Sequence, residues 1–320
     1  MPTTHFPGPT IDDVMRDVIQ EIQAHGDQIN PTKGEAAELT GVLIEVTDPR
    51  ARLSRTETRG KLYSCLGELC WYLANSNDPG FITYYLAQYE QLAEDDKIFG
   101  AYGPRLFNWR GLNQVANVTN VLRSKPCSRQ AVIQLFEAED IVGEHKDVPC
   151  TCTLQFMIRQ DRLHMFTNMR SNDVFLGLPH DFFCFSMLQE IMARDLRVEL
   201  GTYKHAVGSL HLYSRHAEDA HQFLNEGWQS TEAPMPPMPK GDPWPAVELL
   251  LKTEVQIRTT GTFQGGILDR VDPYWADLIR LLQVFRCKKD NDADQIKALC
   301  RIMSSNVYFP FIEKVLNELT

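Results

Sequence analysis

One stretch in the middle of the chain limits its fold more than any other. Pro149 to Arg159 and Arg162 to Met169 are two β-rich runs parted only by Gln160-Asp161, a pattern that predicts a long β-hairpin. Just beyond it, Asp181 to Arg194 sets Phe182, Phe185, Leu188, Ile191 and Met192 at helical spacing, and Tyr203 to Tyr213 reads as a further strand. The chain before the hairpin is mixed. A helix is predicted from Thr10, as N-cap with Asp13 in the first turn, to about Gln23. Gly26 to Glu38 is polar and turn-rich, Gly41 to Thr47 reads as a short strand, and Lys61 to Asn75 as a half-buried helix. Helices over Phe81 to Glu94 and Leu112 to Arg123, then a strand over Arg129 to Phe136, lead into the hairpin.

After a helix predicted over Ala217 to Gly227 the character changes. Six of the 18 prolines fall between positions 234 and 245, where neither a helix nor a central strand can continue. Helical patterns then return over Ala246 to Arg258, Pro273 to Lys288, Ala293 to Met303 and Phe309 to Leu319. The reading is a mixed α/β (α+β) core over residues 1–230, followed by a proline-rich linker and helical extension over 231–320.

Composition narrows the partners. With 32 Lys+Arg against 42 Asp+Glu the net charge is −10, and a protein that tracks a nucleic-acid backbone needs a basic face instead. A single phosphate is not excluded, because a few placed arginines can hold one inside an acidic protein. The eight cysteines show no disulfide framework, and no stretch reaches the roughly 18 apolar residues of a membrane span. A reduced, soluble, cytoplasmic protein with no membrane partner is the expectation.

Three constellations carry candidate chemistry. In Cys150-Thr-Cys152, i and i+2 on a strand face one way, so both thiols can share a pocket. Zinc wants four ligands and none accompany them, whereas a nucleophilic thiolate needs a positive neighbour. Arg170, which closes the partner strand, offers one. Arg170-Ser171-Asn172-Asp173 sets a guanidinium fork beside a hydroxyl, a natural phosphate grip that alone is more often a charged strand end. His211 and Tyr213 share a strand face that suits a sugar hydroxyl, against the plainer reading of a core histidine.

Order and spacing make the set far more specific than its parts. Pro149-Cys150, then Arg170-Ser-x-Asp173, Leu176-Gly177-x-Pro179 and His211-x-Tyr213 resemble the thymidylate synthase family. Asn168 to Asp173 and Val207 to His216 are similar to its branch of deoxycytidylate and CMP hydroxymethylases. The likeness is tight over about 148–216, fainter over 41–147, and does not cover the chain after about 230. It implies a mixed sheet with packed helices, a pyrimidine nucleoside monophosphate substrate, 5,10-methylenetetrahydrofolate as cofactor, and a homodimer with a shared site. Cys150 would add to C6 of the pyrimidine, chosen over Cys152 because it follows the proline and precedes the arginine by 20 positions. Arg170 and Ser171 would bind the 5′-phosphate, Arg129 would reach the partner subunit's phosphate, and His211 and Tyr213 would contact the sugar. Asp173 resembles the carboxylate that holds the pterin, with Gly177 beside it. Glu68 resembles the residue that organises water and proton at the base, and Tyr102 an aromatic near C5.

Position 181 decides the base in this resemblance. The synthases have an asparagine that pairs with uracil, and Asp181 as a neutral carboxyl presents the inverse pattern, which suits cytosine. A raised Asp181 pKa is the corollary; the alternative is that Asp181 caps the helix that follows. Thr151, Met169 and Ser209 depart from the synthase pattern, and Gln130 replaces a second trans arginine. The synthases' apolar closing tail has no counterpart in Glu313 to Thr320. Together these departures favour hydroxymethylation of a cytidylate over methylation. Ser171 leans towards dCMP ahead of CMP. The competing readings are thymidylate synthesis from dUMP and a non-catalytic nucleotide-binding relative.

Overall fold

The computed structural model describes residues 2–54, 56, 61–226, 234–261 and 265–319. The core elements in chain order are β1 (His5–Gly8), α1 (Ile11–His25), β2 (Asp27–Ile29), β3 (Ala36–Val46), α2 (Leu62–Leu73), α3 (Pro79–Tyr85), α4 (Tyr102–Phe107) and α5 (Gln114–Ser124). There follow β4 (Val132–Gln134), β5 (Thr151–Arg159), β6 (Arg162–Asp173), α6 (Gly177–Asp195), β7 (Glu199–Tyr213) and α7 (Ala217–Asn225). Helices α8 (Trp244–Thr260), α9 (Pro273–Lys289), α10 (Ala293–Arg301) and α11 (Phe309–Leu319) complete the described chain. The last residue of the helix predicted over 217–227, and the boundary drawn at 230/231, lie outside the described residues.

The strands form one mixed seven-stranded sheet in the order β1-β3-β7-β6-β5-β4, with β2 pairing off β3. The predicted hairpin is its centre. β5 and β6 pair antiparallel across Gln160 and Asp161, whose φ of 51° and 54° are the two left-handed positions that a tight two-residue turn requires. β6 and β7 are parallel, so the chain must cross over between them, and α6 makes that crossover. Their register sets Ser171 beside Ser209 and Asp173 beside His211.

Several element boundaries differ from the pattern-based expectation. β3 extends back through the stretch read as turn-rich, because Ala36 and Leu39 are buried there. The helix expected over Phe81 to Glu94 breaks at Leu86, an extended residue (φ −135°, ψ 85°), into α3 and a 3-10 turn over Ala87–Leu92. The strand expected over Arg129 to Phe136 is only β4. α6 starts four residues before Asp181, at Gly177, where an added Cβ would stand 2.5 Å from Asn172 Oδ1. Asp181 is therefore inside the helix and is not its cap.

One face of the sheet is dry. Leu154, Phe156, Leu163, Met165, Tyr203 and Val207 alternate inward along β5, β6 and β7 and are buried with Phe182, Phe183 and Phe185 of α6. On the other face Met157, Phe166, Thr202 and Ala206 stay only half-buried and Asn168 and Gly208 are exposed.

The proline segment is strapped to α6. Proline gives no N–H, so the two methionines within it supply the bonds. Met235 N–H donates to the Arg50 carbonyl (2.9 Å). Met238 N–H donates to Glu190 Oε1 (3.0 Å) while its carbonyl accepts from Arg194 Nε (2.8 Å), so one turn of α6 grips both sides of one peptide. Glu190 is fully buried and also pairs with Arg50 Nε and Arg52 Nη2, each at 2.7 Å. Removing that carboxylate strands two guanidinium groups. Glu190→Ala is expected to lose about 3–5 kcal/mol of stability, read as a fall in the urea midpoint; a loss below 1 kcal/mol would contradict it. The helices beyond the strap join the same core: Tyr85 OH donates to Glu254 Oε1 (2.8 Å), and the Tyr85 and Phe285 rings stack at 5.1 Å.

Candidate active site

The ends of β5, β6 and β7 bring the sequence motifs to one place. Cys150 immediately precedes β5, and its carbonyl accepts from Arg170 N–H (2.9 Å). The Arg170 guanidinium turns back over the same loop, donating from Nε to the Pro149 carbonyl (2.9 Å) and from Nη2 to the Val148 carbonyl (3.0 Å). Two of its five donors thus fix the cysteine loop. Burial pushes the Cys150 thiol above its ordinary range, Arg170 and Lys33 pull it down, and Asp181 and Asp147 push it up again. The expectation that Cys152 shares this environment fails: the ladder slips between Thr151 and Thr153, and of those charges only Arg170 acts on Cys152.

Glu68, Tyr102 and Asp181 close the site from the helical side. Tyr102 opens α4; its hydroxyl accepts from Thr151 N–H (3.0 Å) and Thr151 Oγ1 (2.9 Å), and burial raises its pKa well above the ordinary value, as do the charges of Asp181 and Cys150. Glu68 of α2 is 4% exposed. Its Oε1 accepts from Tyr72 OH (2.9 Å) and Tyr89 OH (3.1 Å), and its Oε2 is 2.7 Å from His180 Nδ1. Burial pulls the Glu68 carboxyl upward, but the His180 bond and charge and the two tyrosine bonds leave it below its ordinary value. Asp181 goes the other way. Burial and the Glu68 charge hold it well above the ordinary carboxylate range, against weaker opposition from His180 and Asn172.

At the mouth, Ser171 is half-buried, and Ser209 across from it donates to the Glu38 carboxylate on β3. His211 is 7% exposed and meets the Tyr213 ring edge-on at 4.7 Å, while the Arg215 guanidinium lies 4.0 Å over that ring. Asp173 Oδ1 accepts from Phe175 N–H (2.7 Å) and Leu176 N–H (3.0 Å), which fixes its carboxylate in the turn ahead of Gly177. Arg129 stands apart from this group, exposed beside β4, with its carbonyl accepting from Gln155.

Sequence reasoning missed four groups. His180 gave one signal, a polar residue next to Asp181 in an apolar helix. Asp147 is the second: it is enclosed against Gly100, and burial raises its carboxyl. Lys33 sits in a polar loop and left no trace in any pattern. The fourth is a buried chain in which Asn172 Nδ2 donates to His205 Nε2 (3.0 Å) and His205 Nδ1 meets Tyr203 OH (2.8 Å). Burial lowers His205 to about 3, so it stays neutral and orients the Asn172 amide.

A family model described as thymidylate synthase matches residues 13–238. A Bacillus phage SP01 protein named deoxyuridylate hydroxymethyltransferase is 29% identical over 250 residues, which cover 72% of this chain and 65% of that protein. Among the described residues, no helix is long and apolar enough to cross a membrane. The mixed sheet with its packed helices is the architecture of the matched family, whose members use methylenetetrahydrofolate as one-carbon donor. The matched span runs from α1 to the clasped proline segment and takes in every residue of the site, and on that ground the chain belongs to the thymidylate synthase family.

Proposed function

We propose that the protein hydroxymethylates C5 of a cytidine 5′-monophosphate, with dCMP the first substrate to test and CMP the second. The observation that carries the reading is Asp181, a carboxyl whose protonated form is favoured by burial and by the Glu68 charge, beside Cys150 and Tyr102. A protonated carboxyl donates to N3 of cytosine and accepts from its N4 amine. Uracil offers N3–H and O4 instead, which requires the carboxyl proton on the other oxygen.

The geometry supports the following roles. Arg170, with Lys33 and Arg215 near the same mouth, forms a local basic rim suited to one phosphate, and Ser171 adds a hydroxyl. His211 and Tyr213 line the place for the sugar. Cys150 Sγ adds to C6, which makes C5 nucleophilic, and the Arg170 charge favours the thiolate that does so. Glu68, an anion, accepts a proton from water beside the base. Asp173 and Gly177 fit the pterin edge, because a carboxylate locked by two backbone N–H groups suits a pair of N–H donors. Methylenetetrahydrofolate, when bound, supplies the one-carbon unit. We further propose a homodimer: the half-covered outer face of the sheet and the exposed Arg129 beside it support a second subunit whose phosphate Arg129 reaches.

The name of the phage relative favours a second reading, in which deoxyuridylate is the substrate. Tritium release from C5-labelled dCMP, CMP and dUMP, with methylenetetrahydrofolate, separates the two. Release from a cytidylate without formation of dihydrofolate is expected. Release from dUMP alone, or a dihydrofolate absorbance rise matching turnover, defeats the proposal.

A further inference from the structure

His180 lies between two acceptors. Its Nδ1 is 2.7 Å from Glu68 Oε2, and its Nε2 is 3.3 Å from Ser64 Oγ. The Ser64 hydroxyl also reaches the Lys61 carbonyl (3.0 Å), and with its hydrogen directed there its oxygen meets the ring as an acceptor. A neutral imidazole donates from one nitrogen and accepts at the other; in this arrangement both nitrogens donate, which only the imidazolium does. We propose that His180 is a positioning residue held as an imidazolium, which fixes Glu68 as the anion of the site and so leaves the shared proton on Asp181 for reading the base. The electrostatic part stands on this geometry alone; the base-reading part rests on the function proposed above.

The groups that face the pair come from three elements. Tyr72 on α2 and Tyr89 on the 3-10 turn donate to Glu68, Cys65 on α2 faces His180, and Asp181 and Cys184 on α6 feel the Glu68 charge. Two carboxyls in one enclosed site do not both ionise readily. The His180 charge reaches both, but its hydrogen bond goes to Glu68, and that asymmetry selects which carboxyl keeps the proton. Burial works against the charged ring, yet Cys65 and Glu68 together push it up to about 10.

Two measurements test this. In the full-length protein labelled with ¹⁵N-histidine, one imidazole is expected to stay doubly protonated beyond pH 8, and Glu68→Gln is expected to return it to pH 6.5 or below. The second measurement is the pH profile of tritium release. With His180 removed, burial raises Glu68 against the two tyrosine bonds alone. The acid limb of kcat in His180→Phe should then move up by at least one pH unit, and cytosine-over-uracil selectivity should fall at least tenfold. His180→Gln, which keeps a donor without the charge, should fall between. An imidazole set that titrates wholly below pH 7.5, or a folded His180→Phe with an unmoved acid limb, overturns the proposal. If no pyrimidine nucleotide releases tritium while the Glu68-dependent imidazole is present, the proposed function fails and the charge assignment of the pair stands.

Discussion

Cys150→Ala abolishes tritium release from every pyrimidine nucleotide, with an expected loss of at least ~10⁴-fold in kcat/KM. The magnitude follows from the role: without a thiolate at C6, nothing makes C5 nucleophilic, and no other group in the site replaces it. Cys152 is no substitute, because the slip in the ladder sets it apart from Asp181 and Asp147. The variant should still fold and bind nucleotide, since the Cys150 side chain is only half-buried and the loop is held through its backbone by Arg170. Calorimetric binding of the nucleotide to this variant separates lost chemistry from lost binding. Residual release above 1% of wild type would mean that another nucleophile, or no covalent step, carries the reaction.

Asp181→Asn reverses the base preference, with an expected combined change in the cytosine-to-uracil ratio of kcat/KM of ~10⁴-fold. The asparagine amide donates to O4 and accepts from N3–H of uracil, whereas the neutral aspartic acid serves N3 and the N4 amine of cytosine. The pH dependence gives a second readout with a definite sign. Burial raises the Asp181 carboxyl, so the active form is protonated and cytidylate turnover falls as pH climbs through that raised value. Asparagine does not titrate, so this alkaline limb should vanish in the variant. Competition between CMP, dCMP and dUMP for one enzyme preparation measures the ratio directly. An unchanged ratio in a folded, active variant would remove Asp181 from base reading.

The hairpin, the apolar crossover helix and the strand after it were legible because period-2 and period-3.6 patterns survive wherever one face is buried. The start of α6 was less so. Leu178 and Pro179 precede Asp181, and a proline in a first turn reads equally well as a loop or as a helix start. Spacing singled out Cys150, Arg170 and His211 as a set, the resemblance added Asp181, and the fold does bring them to neighbouring strand ends and one helix turn. The Glu68–His180 pair was not legible, since its members are 112 residues apart and no local pattern links α2 to α6. Lys33 and Asp147 were missed for the same reason: their significance lies in the charges around them, which only the assembled structure brings together.

The grip on Met238 ties the proline segment to the helix that carries His180 and Asp181. A peptide held on both sides by one turn of α6 cannot leave without exposing Glu190 and Arg194, so the strap and that helix should open together in hydrogen exchange. His180 and Asp181 lie at the other end of the same rigid rod, about two and a half turns away from that grip. Fluctuations of the helical extension are expected to travel along α6, which would make the tail a mechanical anchor for the end of the site proposed to read the base.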